Sequence, residues 1–218
     1  MNVLVIAGNY SVGDVNNQPP HLPGANARPM SDDESLAAAI FEDVALVPHD
    51  PAWVDAFQAE RLRLHGLLPG TFVAIEHIGS TALLGIVSKP VVDIMAGVES
   101  LAGAATVVDV LCGNGYTTSK DFNDSLADRK WLMRWRDGHR THHLHIVVHR
   151  GVHWNDWLAF RDALRRDPDV AARYAAVKTH CARAHRDDRE AYTAAKAAFV
   201  SAVVSAEANR RGSRQSGP

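Results

Sequence analysis

The stretch Ile75–Gly97, IEHIGSTALLGIVSKPVVDIMAG, is the centre around which the rest of the chain is organised. An extended apolar run from Phe72 to Ile78 breaks at Gly79-Ser80-Thr81. A loop with Gly85 and the pair Lys89-Pro90 then leads into a second β-rich run, Val91 to Val98. This pattern predicts two strands joined through a glycine turn. The second run holds one acid, Asp93, among Val91, Val92, Ile94 and Met95. A lone carboxylate on an apolar strand is costly to bury without a partner or a metal. A Gly-Ser turn offers backbone N–H groups and hydroxyls to an anion. With Lys89 nearby, the stretch predicts a phosphate or nucleotide site.

Upstream of this stretch, Val44–Val47 reads as a short strand opening the ordered domain. Asp50 caps a helix with Pro51 at its first position, and Trp53, Phe57, Leu64 and Leu68 recur at helical spacing until Pro69-Gly70. After the second strand, Ser100 caps a helix over Leu101 to Leu111, closed by Gly113 and Gly115. The polar run Asp121 to Asp128 predicts a mobile loop. Trp131 to Arg136 and His142 to Val148 predict an antiparallel pair turned by Asp137-Gly138. Three helices follow, from His153 to about Asp167, Asp169 to about His185, and Asp187 to about Glu207, with Pro168 at the start of the second. Strands alternating with helices early, and helices running together late, predict an α+β fold: a mixed β-sheet covered by helices, with a C-terminal helical bundle.

The ends read differently. Residues 1–43 carry Pro19, Pro20, Pro23 and Pro29 among polar residues and predict a disordered or non-native extension, with Met30 an alternative beginning. Within it, Ser31 and Glu34 form a capping box for a short helix to Phe41. The domain is expected over 44–208 and a disordered tail over 209–218.

The 218 residues suffice for one well-cored domain, and 46% hydrophobic with 22% charged residues is an ordinary globular composition. The net charge of −2 gives no strong nucleic-acid or membrane-surface signal. Cys112 and Cys181 have neither zinc nor redox spacing, and no apolar run approaches the roughly 18 residues of a membrane span. MNVLVIAG lacks the basic start of a signal peptide, so a cytoplasmic location is expected.

His77-Ile78-Gly79-Ser80-Thr81, then Gly85, then Lys89-Pro90-Val91-Val92-Asp93-Ile94, resembles the signature of the GrpB family, and the likeness extends over roughly Val44 to Val204. That family resembles the nucleotidyltransferase superfamily in fold and also occurs fused behind dephospho-CoA kinase in some bacteria. The resemblance implies a nucleotidyltransferase-like fold, a nucleotide or other phosphorylated small molecule as ligand, and Mg²⁺ or Mn²⁺ as cofactor. Enzymes of that superfamily hold metal with two carboxylates one residue apart and a third on a neighbouring strand, so that charge on attacking and leaving oxygens is neutralised. Here Asp93 stands alone, with Val91 and Met95 at both candidate partner positions. A single-metal or metal-free site is expected instead.

His143-Leu144-His145 matches the family's HLH element. Alternation places His143, His145, Val147 and His149 on one strand face, where His143 and His145 with Asp93 would be catalytic, holding a metal, acting as a base, positioning the nucleophile or hydrogen-bonding a phosphate, or stand as polar groups on a wet face. Gly79, Ser80, Thr81, Lys89 and His77 are the candidate phosphate contacts. Glu76 and His77 point to opposite sides, so one of them enters the cleft. In the helices, the family matches Arg161, Lys178 with Tyr174, and Lys196 with Tyr192 imply a basic wall over the cleft; the same residues would serve equally as buried packing and salt bridges. Trp154 and Trp157 read as core. Three functions remain open. These are metal-dependent nucleotidyl or phosphoryl transfer, a non-catalytic ligand-binding or interaction module, and a Zn²⁺ or Mn²⁺ hydrolase built on His143 and His145. This chain contains no Walker A sequence, so it does not supply the kinase activity itself.

Overall fold

A computed structural model describes residues 34, 45–185 and 189–215. The elements run in order as α1 (Ala52–Leu67), β1 (Ala74–Ile78), β2 (Val92–Val98), α2 (Ala104–Cys112), β3 (Tyr116–Thr117), α3 (Lys120–Ser125), β4 (Arg129–Arg136), β5 (His139–Val148), α4 (Val152–Arg166), α5 (Pro168–Ala184) and α6 (Arg189–Gln215). The strands form one mixed sheet in the order β1-β2-β5-β4-β3. Only the β2–β5 pair is parallel. The α+β architecture expected from the sequence is the one observed.

Each sheet face buries its own set of alternating residues. On one face Ile75, Val92, Ile94, Ala96, Leu132, Leu144 and Ile146 pack under α1 and α2 with Phe57, Leu64 and Leu111. On the other, Ile78, Met95 and Val147 meet Trp154 and Trp157 of α4. Gly97 makes that approach close: a Cβ there would stand 2.8 Å from the Trp154 ring. Both tryptophans are buried, as their spacing predicts. The helices α4, α5 and α6 share a further core around Phe160, Leu164, Tyr174, Val200 and Val204, into which Leu83 and Ile86 of the β1–β2 connection insert. The helical bundle thus grips the loop that carries the quoted motif.

Local chemistry explains the boundaries. Asp50 Oδ1 accepts from the Ala52 N–H at 2.9 Å, and Asp167 Oδ1 accepts from Asp169 and Val170 at the head of α5, with Pro168 in its first turn. Asp137 and Gly138 both have positive φ, 51° and 75°, as a tight hairpin between β4 and β5 requires.

Four details differ from expectation. The polar run at 121–128 contains α3, because Ser119 caps it by accepting from Phe122 N–H while Asn123 is tied to Trp131 and Thr118. β3 was not anticipated. The expected first strand is reduced to a single bridge, Val47 with Ser88, and Val44 lies outside the described residues. α6 continues to Gln215, so residues 209–215 are helical rather than a disordered tail. The predictions for 1–43, apart from Glu34, also lie outside the described residues. Both cysteines are free thiols, and among the described residues no helix is long and apolar enough to cross a membrane.

Candidate functional site

Asp93 sits near the start of β2, opposite Ile78 at the end of β1 and His143 of β5. All three side chains project to the face that α4 covers, and His145 follows two residues later on that face. His143 Nδ1 lies 2.9 Å from Asp93 Oδ1. Asp93, His143 and His145 each offer one ligand atom, and those atoms lie within 4.8 Å of one another. Three convergent donors on two parallel strands are a metal-site geometry.

The environment sharpens this. His145 is 3% exposed, and neither of its ring nitrogens has a hydrogen-bond partner among the described residues. Burial pushes its pKa down to about 3 against the pull of the Asp93 charge, so the ring is neutral at pH 7 and no proton competes for its lone pair. Trp157 meets its edge at a centroid distance of 5.0 Å. Burial raises the Asp93 carboxyl above the ordinary range, partly offset by its electrostatic coupling to His145, Lys196, His77 and Lys178. The Asp93 side chain keeps 22% exposure, which leaves the trio open to solvent on one side. Apart from that opening, the histidine face is packed rather than solvated, with His143 12% and His145 3% exposed.

The donor set does not fit a carboxylate-held Mg²⁺ pair. Met95, two residues beyond Asp93 on the same face, is fully buried in the α4 core, and Val91 is 5% exposed. One carboxylate with two imidazoles fits a single first-row transition ion such as Zn²⁺, Fe²⁺ or Mn²⁺, because imidazole is a borderline ligand that Mg²⁺ rarely takes.

Gly79 shapes the mouth of the site. Its φ is +68°, and a Cβ there would fall 2.2 Å from Asp93 Oδ2. Ser80 opens a short 3-10 turn, Ser80–Ala82, and is half-buried, as is Lys89. The remaining sequence candidates have inward contacts. His77 is on the opposite face, stacked on Phe57 at 4.8 Å, with Nε2 3.0 Å from the buried Thr81 hydroxyl. Burial pushes the His77 imidazole down to about 4. Arg161 donates to Glu76, Asp162 and the His77 carbonyl and so clamps the end of β1 to α4. Lys178, 2% exposed, donates to the Val87 carbonyl at 2.7 Å and fastens the loop before β2 to α5. Burial and Lys196 push its pKa down to about 7. Lys196 stands 3.8 Å over the Tyr192 ring. The structure thus brings Asp93, His143, His145 and Gly79 together and gives His77, Thr81, Arg161 and Lys178 roles in holding the scaffold around them.

Sequence reasoning missed Trp157 as the lid on His145. Its i, i+3 spacing from Trp154 shows only a core face. It also missed a second polar cluster, Glu60 with Arg63, Tyr116 and Arg134, on the α1 side of the sheet.

Residues 43–206 match the model of the GrpB protein family. A UPF0157 protein of Pseudomonas aeruginosa is 34% identical over 86% of this chain and 73% of its own length. The glutamate-rich protein GrpB of Alkalihalophilus pseudofirmus is 31% identical over 74% of this chain and 94% of its own. A dephospho-CoA kinase of Mycolicibacterium paratuberculosis is 33% identical over 70% of this chain, which spans only 43% of that protein. The crystal structure of the conserved protein GrpB from Enterococcus faecalis superposes with a TM-score of 0.68 at 29% identity, covering 77% of this chain and 99% of that one. Sequence motif, family match and fold agree: the chain belongs to the GrpB family.

Proposed function

We propose that this chain binds a nucleotide or another phosphorylated small molecule over a single transition-metal ion, and that its chemistry is phosphoryl or nucleotidyl transfer. The convergence of Asp93, His143 and His145 within 4.8 Å carries the reading. Asp93 and the two imidazoles hold the ion; a bound divalent ion supplies Lewis acidity toward a phosphoryl oxygen. The Gly79–Ser80 turn abuts the Asp93 carboxylate and offers its backbone and hydroxyl to phosphate oxygens, with the Lys89 ammonium as counter-charge. Arg161 and Lys178 keep the turn and the loop in place.

A second reading is a non-catalytic module. Its support is that the matched region forms less than half of a dephospho-CoA kinase, so a domain of this kind accompanies an enzyme that has other parts.

Calorimetric titration decides between them. The full chain is titrated with Zn²⁺, Mn²⁺ and Mg²⁺, then with ATP, CTP, GTP, UTP and CoA with and without the preferred ion, beside Asp93→Ala. The expected result is tight Zn²⁺ or Mn²⁺ binding lost in Asp93→Ala, and nucleotide binding that needs the metal. Absence of both, in folded protein, would overturn the site and leave the module reading.

A further inference from the structure

The opposite face of the sheet carries a cluster that the metal-site reading does not use. Val92 and His142 are paired in register, one residue before Asp93 and His143, so they project to the α1 side, back to back with the metal trio. There a cavity of about 290 Å³ is lined by Trp53, Glu60, Arg134, Arg136, Thr141 and His142, among others. We infer that this cavity is a second, anion-binding site that takes the phosphate group of a small phosphorylated molecule.

The charge balance supports this first. Glu60 is 3% exposed and is the one carboxylate in the lining. Its oxygens are taken by Arg63 at 2.7 and 3.1 Å, by the Tyr116 hydroxyl at 2.7 Å and by Arg134. Within the lining, Arg134 and Arg136 stand against that one acid, a surplus of one positive charge. Arg136 is exposed and makes no ion pair among the described residues. The Arg136 guanidinium suits phosphate oxygens, which accept paired N–H donors.

Hydrogen-bond capacity supports it second. The Thr141 hydroxyl donates to the Arg134 carbonyl at 3.2 Å, so its oxygen accepts from His142 Nδ1–H, 2.9 Å away. His142 Nε2 is buried without a direct hydrogen bond among the described residues, although the ring also interacts with the Ala56 backbone. A ligand oxygen or hydroxyl supplies the missing partner. The volume sets the size: it is at the low end for small-molecule pockets and admits a phosphate with a few carbon atoms rather than a whole nucleotide. The site shares no residue with the metal trio, so it stands or falls independently.

The test is an ¹⁵N NMR titration of the full chain with inorganic phosphate at constant ionic strength, for the natural sequence, Arg136→Ala and Asp93→Ala. Arg136 is exposed, so its replacement leaves the fold intact, which a thermal melt checks. Saturable shifts are expected at the amides of Arg136, Thr141 and His142. Affinity there should fall about tenfold or more in Arg136→Ala and stay unchanged in Asp93→Ala. No saturable shift at these amides, shifts confined to Gly79 and Ser80, or a response indifferent to Arg136→Ala would each overturn the inference.

Discussion

The backbone of Gly79 lies against the carboxylate of Asp93, so closely that a β-carbon on the glycine would stand 2.2 Å from Oδ2. The positive φ of the turn and the position of the acid are therefore one structural fact. Gly79→Ala should pay twice, through backbone strain of about 1–3 kcal/mol and through displacement of Asp93. Metal affinity should drop further than stability does, with chemical denaturation and Zn²⁺ titration on the same preparation as the check. Equal metal affinity in the variant would show that Asp93 is not positioned by this contact.

His145 gives the converse expectation. Two buried ring nitrogens without partners are a cost to the metal-free fold. His145→Leu should therefore leave the metal-free melting temperature unchanged or raise it, while abolishing the increase that Zn²⁺ or Mn²⁺ gives the natural chain. A large loss of metal-free stability would assign His145 a structural role instead.

The trio also shows how far sequence could reach. Asp93, His143 and His145 were each visible, as an acid in an apolar run and as imidazoles on one strand face. Their juxtaposition depends on the parallel pairing of β2 with β5, and nothing local in either strand specifies that partner. The hairpin at Asp137-Gly138 was legible because turn chemistry and alternation are local signals. α3 was not, since KDFNDS carries no apolar stripe and is held by Asn123 amide bonds to residues elsewhere. The bond between Glu60 and Arg134, 74 residues apart, lay equally beyond local pattern.

Glu60 should be a main source of acid sensitivity. Burial pushes its pKa up, but hydrogen bonds from Arg63 and Tyr116 and the charge of Arg134 outweigh burial and hold it below 4.5. A carboxylate depressed in the folded state stabilises above its unfolded pKa, and that stability is lost as pH falls through the folded value. Glu60→Ala should cost about 1–3 kcal/mol at pH 7, since it leaves the buried Tyr116 hydroxyl and two half-buried guanidinium groups without their acceptor. The gap to the natural chain should narrow below pH 4.5, which urea denaturation at several pH values measures.

Lys178 should act with the opposite slope. Burial and Lys196 lower its pKa from 10.5 to about 7, so between those values the unfolded chain binds the extra proton and the folded chain does not. Stability then rises with pH across that window, because the unfolded state is the more protonated one. Lys178→Met removes the titrating group while keeping most of the buried stem, so the variant's stability should vary less between pH 7 and 10 than that of the natural chain. It should also loosen residues 87–88, whose carbonyl and hydroxyl lose their donor. Hydrogen exchange at the Ser88 amide, which bonds to Val47, reads that loosening directly. A steep pH dependence that survives Lys178→Met would place the titrating group elsewhere.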